Sequence, residues 1–418
     1  MWASLSRLGD AGMKIKRVTL LGHKDHGKST LIGNLLISTG TATKDRINEA
    51  RRISSSLGRQ FEPAFILDSF SEEREGGLTI DTTRAQIKYK DIGFEFIDVP
   101  GHEELIKNMI SGASYADFAV LIVSAKRDEG IMDQTKRHLF LAKIFGIKKI
   151  IIAVNKMDSV GYSEERFDSV AKSIGAYLEK IGVDSRDYEA IPISAYDSEN
   201  LVKRSGKMKW YRGKTLLEIL YEMGKEREKK PKNNFRMIMQ GESDGRYFGR
   251  VASGTAKVSD EIRILPRNDW AKIKKLYVKG KSARKCREGD NPTIELDKRL
   301  TFNPRGMVAL PRSEEFNASR RFMALIFATE PMRSESTIKF IGNQIKARIK
   351  FIDEISTTNG ERKKMSGEEL APLKAASVEI ILEKEIPAEN FNESQELGRL
   401  LFYSGEALSG VGIIERKL

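Results

Sequence analysis

The chain has 418 residues, 40% hydrophobic and 31% charged, with a net charge of +13; at roughly 100–200 residues per domain it holds about two to four domains rather than one. No apolar run approaches the ~18 residues that cross a bilayer, and residues 1–20 lack the apolar segment of a secretory signal, so the sequence reads as cytoplasmic with no membrane partner. The single cysteine, Cys286, excludes an internal disulfide and a cysteine-rich metal site.

In chain order, residues 1–12 read as a poorly ordered extension, with Met13 as an alternative start. Residues 13–224 then alternate strand and helix signals. "KIKRVTLLG", "IGFEFIDV", "DFAVLIVSA", "KKIIIAVN" and "YEAIPISA" read as strands. "STLIGNLLIST", closed by Gly40, "DQTKRHLFLAKIFG" and "SEERFDSVAKSIGAYLEKIG" read as helices. Continuously apolar strands between helices imply an α/β domain with a mostly parallel sheet covered on both faces. The polar, proline-broken stretch 225–234 reads as a linker. Beyond it the pattern changes to short strands with glycine-rich turns, which predicts two small β-barrel domains, 235–312 and 320–418.

The first strand runs into "GHKDHGKS", 22–29, which fits G-x-x-x-x-G-K-[ST]. Gly22 and Gly27 let the loop turn its N–H groups inward, and the following helix presents its positive end. Between them lie His23, Lys24, Asp25 and His26, with both histidines read as loop-packing groups. Lys28 sets a cation on the outer phosphates, Ser29 offers an oxygen to Mg²⁺, and Thr30 completes the motif. "DVPGH", 98–102, ends another strand. Asp98 is placed to hold Mg²⁺ through water, and Gly101 to offer its N–H to a terminal phosphate. His102, beside that glycine, is the candidate catalytic residue, orienting an attacking water.

"NKMD", 155–158, ends the next buried strand. The Asp158 carboxylate can accept from guanine N1–H and its 2-amino group; adenine has no donor there, so ATP would leave a desolvated carboxylate unpaired. Asn155 and Lys156 support base and loop. "SA", 194–195, puts Ser194 and the Ala195 N–H at the following strand end, within reach of guanine O6. All four groups sit at strand carboxyl ends, where open α/β sheets bind ligands, and together they read as a site for GTP or GDP with Mg²⁺. In the polar connection "EEREGGLTID", Thr79 is the candidate metal ligand that engages only while the γ-phosphate is present, making the segment an order–disorder switch.

These motifs resemble the translational GTPases typified by elongation factor Tu. The resemblance rests on "GHKDHGKST", "EREGGLTID", "DVPGHEE", "NKMD" and "PISA", and extends through "KWYRGKTLLEIL" to the two barrels. It implies a P-loop GTPase domain followed by two barrels, and a switch protein that hydrolyses GTP slowly without a partner. Two branches stand. One is the GTPase subunit of sulfate adenylyltransferase, whose partner is a catalytic adenylyltransferase subunit. The other is the elongation factor branch, whose partners are aminoacyl-tRNA and the ribosome. "MDQTKRH", "NKMDSVGYSEERF", "RYFGRVASG", "EIRILP" and "LGRLLFYSGEALSGVGII" place the nearer resemblance in the sulfate branch. His26 and the charge of +13 point to the other.

One further stretch stands out. "AKIKKLYVKGKSARKCR", 271–287, holds eight basic residues and no acid. It reads either as a polyanion-binding surface or as a solvated strand edge whose lysines discourage pairing. Cys286, between Lys285 and Arg287, reads as an incidental thiol, with an activated thiolate as the sharper alternative.

Overall fold

The computed structural model describes residues 14–67, 83–98, 116–127, 132–147, 149–225 and 234–418. The expected extension 1–12, Thr79, Gly101, His102 and most of the expected linker lie outside these. The chain divides into two compact units, 1–227 with 357–360, and 228–356 with 361–418.

In the first unit, six strands form one sheet: β1 (Lys14–Leu21), β2 (Thr83–Tyr89), β3 (Ile92–Asp98), β4 (Phe118–Ser124), β5 (Ile150–Asn155) and β6 (Tyr188–Pro192), in the order β2-β3-β1-β4-β5-β6. All neighbours are parallel except β2, which pairs antiparallel with β3 at the edge. Every residue of β4 and β5 is buried, as strands covered on both faces require. The helices are α1 (Lys28–Ser38), α2 (Lys44–Ser56), α3 (Asp133–Ile144), α4 (Glu164–Lys180) and α5 (Leu216–Lys225). Thr43 and Ser163 start α2 and α4 by accepting the N–H groups of Arg46 and Arg166, which satisfies donors a helix start leaves open. Among the described residues no helix is long and apolar enough to cross a membrane.

The second unit holds two closed antiparallel barrels of six strands each. In the first, Glu261–Leu265 pairs with Val308–Pro311, and the ring continues through Arg236–Ser243, Arg246–Ser253, Pro292–Leu296 and Asp269–Val278 back to Glu261–Leu265. In the second, the ring runs Glu335–Phe340, Arg399–Ser404, Ala407–Lys417, Ser319–Ala328, Ala375–Ile386, Asn343–Ile355 and back. Strand periodicity dictates the packing. In Asn343–Ile355 the residues Ile345, Ala347, Ile349 and Phe351 are buried, while Lys346, Arg348 and Lys350 between them are exposed. Gly249 is required by close approach, because a Cβ there would sit 2.2 Å from the Ile238 carbonyl oxygen. Cys286 belongs to the first barrel's core, and burial pushes its thiol up to about 11. The flanking cations therefore do not activate it.

A buried charge cluster joins the two barrels. Arg236, 5% exposed, donates from Nε to Glu389 at 2.6 Å and from NH1 to Glu314 at 2.8 Å and the Phe235 carbonyl at 2.9 Å. Its guanidinium lies 5.0 Å from the centre of the Phe316 ring, and the Lys417 ammonium 3.4 Å from it. Burial pushes Glu389 up, opposed by Arg236 beside it. Removing one member of such a cluster strands the others without water. Arg236→Ala should lower the unfolding free energy of this unit by about 3–5 kcal/mol, read from urea denaturation; a loss within error would mean the cluster is not a structural tie.

Candidate functional site

The site forms along the carboxyl ends of the parallel strands. After β1, Gly22 has φ 134°, and a Cβ on it would lie 2.3 Å from the Ile122 carbonyl oxygen of β4. The loop can therefore press into the crevice between β1 and β4 only with glycine at this position. His23 caps the 3₁₀ turn Lys24–His26, its Nδ1 accepting from the Asp25 N–H at 3.4 Å. His26 is fully buried, and its Nδ1 lies 3.2 Å from the Ile122 oxygen, which as a carbonyl can only accept. Both histidines thus pack the loop. Gly27, at φ 89°, turns the chain from that turn into α1.

Lys28 opens α1 and is 8% exposed. Its ammonium donates to the carbonyl oxygens of Gly22 and His23, both at 3.1 Å, so the loop holds the cation at its own centre. Ser29 is half-buried beside it. Thr30 does something the motif alone does not suggest: its hydroxyl donates to Glu62 at 3.1 Å. Asp98 ends β3, its backbone in register with Leu20 of β1.

Asn155, at the end of β5, joins this loop to the second half of the site. Its Nδ2 donates to the His26 carbonyl at 2.8 Å, and its Oδ1 accepts from the Ala195 N–H at 2.8 Å. A Cβ on Gly27 would come within 2.6 Å of Asn155 Nδ2, so the second glycine also makes room for this bridge. Lys156 follows in the left-handed region at φ 61°, a backbone state that costs a non-glycine residue energy and gathers at functional sites. The exposed Asp158 carboxylate is held by two hydroxyls, Ser194 Oγ donating to Oδ1 at 2.6 Å and Ser159 Oγ to Oδ2 at 3.2 Å. An ionised carboxylate has about four lone-pair sites, so each oxygen keeps capacity for a further donor.

Two supports escaped the motif reading. Asn34, 5% exposed on α1, donates from Nδ2 to the carbonyls of Ala195 and, at 2.9 Å, Tyr196. A polar residue inside the apolar run "LIGNLL" was its signal. Behind Asp158, the Tyr162 hydroxyl donates to Asp197 at 2.7 Å, and the Lys207 ammonium reaches Tyr162 at 2.9 Å and Asp197 at 3.0 Å. The Tyr162 hydroxyl, then Lys207, holds Asp197 below the usual carboxylate range. These residues come from three loops with no shared motif.

Fold and site together define a phosphate-loop nucleotide-binding domain followed by two β-barrels. A family model described as the elongation factor Tu GTP binding domain matches residues 13–226. Elongation factor 1-alpha of Methanospirillum hungatei is 37% identical over 295 residues, covering 69% of this chain and 67% of that protein. Elongation factor 1-alpha of Natronomonas pharaonis is 32% identical over 406 residues, covering 92% of this chain and 93% of that protein. A solved structure of sup35 complexed with GDP aligns with 97% of this chain and 95% of that chain at 24% identity, with a TM-score of 0.43, too low an overlap to bear on function.

The chain belongs to the elongation factor Tu-like family: it is a GTP-binding GTPase. The relatives favour the elongation factor branch over the sulfate branch that the sequence was expected to join. Two of the misleading stretches have a physical explanation. "RYFGRVASG" and "LGRLLFYSGEALSGVGII" are barrel strands, with glycines that barrel packing demands. At Gly249 a Cβ would meet Ile238, and at Gly410 and Gly412 it would fall within 3.0 Å of neighbouring atoms. Such patterns report a barrel rather than its client.

Asn155→Ala should cost about 1–3 kcal/mol for each group it leaves unpaired. The expected result is a lower thermal midpoint together with at least tenfold weaker GDP binding by calorimetry. Unchanged GDP affinity would show that the bridge between the loops does not shape the site.

Proposed function

We propose that this chain is a translation-factor-type switch which, in its GTP form, binds aminoacyl-tRNA and acts at the ribosome. The observation that carries this reading is the relationship to elongation factor 1-alpha over 93% of that protein's length, which takes in both barrels as well as the nucleotide domain. We take 13–224 as the G domain, 225–234 as a linker, and 235–312 and 320–418 as the two barrels.

In this reading the loop N–H groups and Lys28 receive the β- and γ-phosphates. Asp158 accepts from guanine N1–H and the 2-amino group, and the Ala195 N–H faces O6. Ser29, Thr79 and, through water, Asp98 would hold Mg²⁺. These hard oxygen donors suit a magnesium ion that takes its other ligands from phosphates and water, and among the described residues no cluster of three His, Cys, Asp or Glu forms a separate metal cage. The ion supplies neutralisation of phosphate charge. Gly101 and Thr79 sense the γ-phosphate, and His102 orients the attacking water. Loss of the γ-phosphate releases both segments, so the client binds one nucleotide state better than the other. Turnover by the isolated chain is slow, because such sites are completed by a partner.

Two experiments test this. Asp158→Asn should shift preference from guanine toward xanthine nucleotides, since the amide donates to a C2 carbonyl where the carboxylate accepted from an amino group; retained guanine preference by competition binding would remove Asp158 from that role. The full chain loaded with a non-hydrolysable GTP analogue should retain charged tRNA, with affinity falling steeply as salt rises. Recovery of an adenylyltransferase subunit without tRNA would return the chain to the sulfate branch.

A further inference from the structure

A serine hydroxyl has a single proton to donate, and the structure fixes where that of Ser194 points. Its Oγ accepts the Asp197 N–H at 3.1 Å, which leaves the proton to go to Asp158 Oδ1 at 2.6 Å. Ser194 opens a short turn closed against Glu199 by two backbone bonds, from the Glu199 N–H at 3.0 Å and from the Ser194 N–H at 3.3 Å. Lys207 grips the same turn from outside. Its ammonium lies 3.0 Å from Asp197 Oδ2 and 3.3 Å from Glu199 Oε1. The Tyr162 hydroxyl accepts from Lys207 at 2.9 Å and donates to Asp197 Oδ2 at 2.7 Å. Contacts therefore run unbroken from Lys207 through Asp197 and Ser194 to Asp158.

The plainer explanation is a surface ion pair, which on its own contributes little to a fold. Two observations go beyond it. The first is backbone strain on both sides of the contact: Tyr162 has φ 58° and Ser198 φ 61°. A left-handed backbone costs a bulky residue energy, and it persists where the surroundings over-determine it, as they do at ligand sites. Tyr162 is held in that way. Its N–H donates to the Met157 carbonyl at 2.8 Å, and its own carbonyl accepts from Trp210 Nε1 at 2.9 Å. Trp210 packs in turn on Phe167 of α4, with ring centres 5.5 Å apart. The second observation is what the contact joins. Tyr162 follows the 3₁₀ turn Met157–Val160 that carries Asp158, and Asp197 follows Ser194. The Tyr162–Asp197 bond thus ties together the two loops whose spacing decides whether the Ser194 hydroxyl reaches Asp158.

We propose that Lys207 is a positioning residue for guanine: by clamping Asp197 and Glu199 it holds the Ser194 hydroxyl on Asp158 and so aims the Asp158 carboxylate at the base. This rests on the reading of Asp158 given above and adds to it a side chain that acts only through others. With Ser194 Oγ on one oxygen and Ser159 Oγ on the other, the carboxylate is held in one orientation. Both of its oxygens then keep lone pairs for the N1–H and the 2-amino group together. Without Lys207 the turn 194–199 loses its outer clamp, and both base bonds weaken. An inosine nucleotide has the N1–H but no 2-amino group, so it depends on that aim for one bond instead of two.

The test uses the full-length, nucleotide-stripped protein, with GDP and IDP titrated by calorimetry on one preparation. A folding defect lowers both stoichiometries and leaves the ratio of the two affinities alone. Lys207→Met should reduce the preference for GDP over IDP by about two- to fivefold, the range of an exposed ion pair. Asp197→Asn keeps the backbone N–H on Ser194 and removes only the charge that Lys207 holds; it should reduce the preference by a similar factor. Lys207→Arg, which keeps the cation, should restore most of it. An unchanged preference in both Lys207→Met and Asp197→Asn, including an equal loss of GDP and IDP affinity, overturns the positioning role. If Asp158→Asn still collapses the preference in that case, the guanine reading stands without it. A wild type that binds GDP and IDP equally, or an Asp158→Asn variant that keeps the wild-type preference, overturns both.

Discussion

The nucleotide site depends on one buried side-chain amide. A pocket at the rim of a parallel sheet is assembled from loops that follow different strands, and such loops share no backbone ladder to fix their spacing. Asn155 supplies the missing connection by using both ends of its amide, donating to the phosphate loop at His26 and accepting from the base loop at Ala195. A carboxylate could not do both, since it has no proton to donate, whereas the amide donates from one atom and accepts on another. Gly27 has to be a glycine partly because this amide occupies the space a Cβ would take. Asn34 makes a second tie from α1 to the same base loop. The loop after β1 and the loop after β6 are thus tied to one another by side-chain amides from β5 and α1.

Much of this site is legible in the sequence because phosphate binding is done by backbone. Consecutive residues must turn their N–H groups inward, so the signature is short, contiguous and rich in glycine, as in residues 22–29. Asp158, the carboxylate proposed to read guanine, is equally local, just past the end of a fully buried strand. The supports are not local. Tyr162, Asp197 and Lys207 meet through folding of three loops, and nothing in the spacing of those residues marks them. The same contrast separates the strands that are easy to read from those that are not. β4 and β5 are apolar throughout, because both faces are covered. β2 is an edge strand whose core face carries Ala85 and Ile87 buried and Tyr89 partly buried, and its alternation is faint within a polar connection. Pro292–Leu296 and Val308–Pro311 carry proline at a terminus, where it interrupts the strand signal while still permitting pairing.

The two barrels explain why their strand sequences identify an architecture better than a client. In a closed barrel every second residue faces the interior, and the ring leaves no edge whose pairing could vary. Inward positions are therefore set by packing, and glycines by close approach, in any protein that uses this shape. Information about a partner can reside only on the outward half of each strand. Stretches quoted whole mix the two halves, so a resemblance built on them weighs packing and recognition alike.

That division also distinguishes two uses of positive charge in the same unit. Arg236 is buried between Glu314 and Glu389, with its fork satisfied and a ring against its face. A guanidinium suits that role because its planar donors match carboxylates and it sheds water more readily than an ammonium. The strip at 272–287 is instead mostly lysine, exposed, and largely without a carboxylate among the described residues. An ammonium on a flexible stem keeps its hydration and its freedom, so it contributes little to the fold. Arginine is placed where geometry has to be fixed, and lysine where charge alone is wanted.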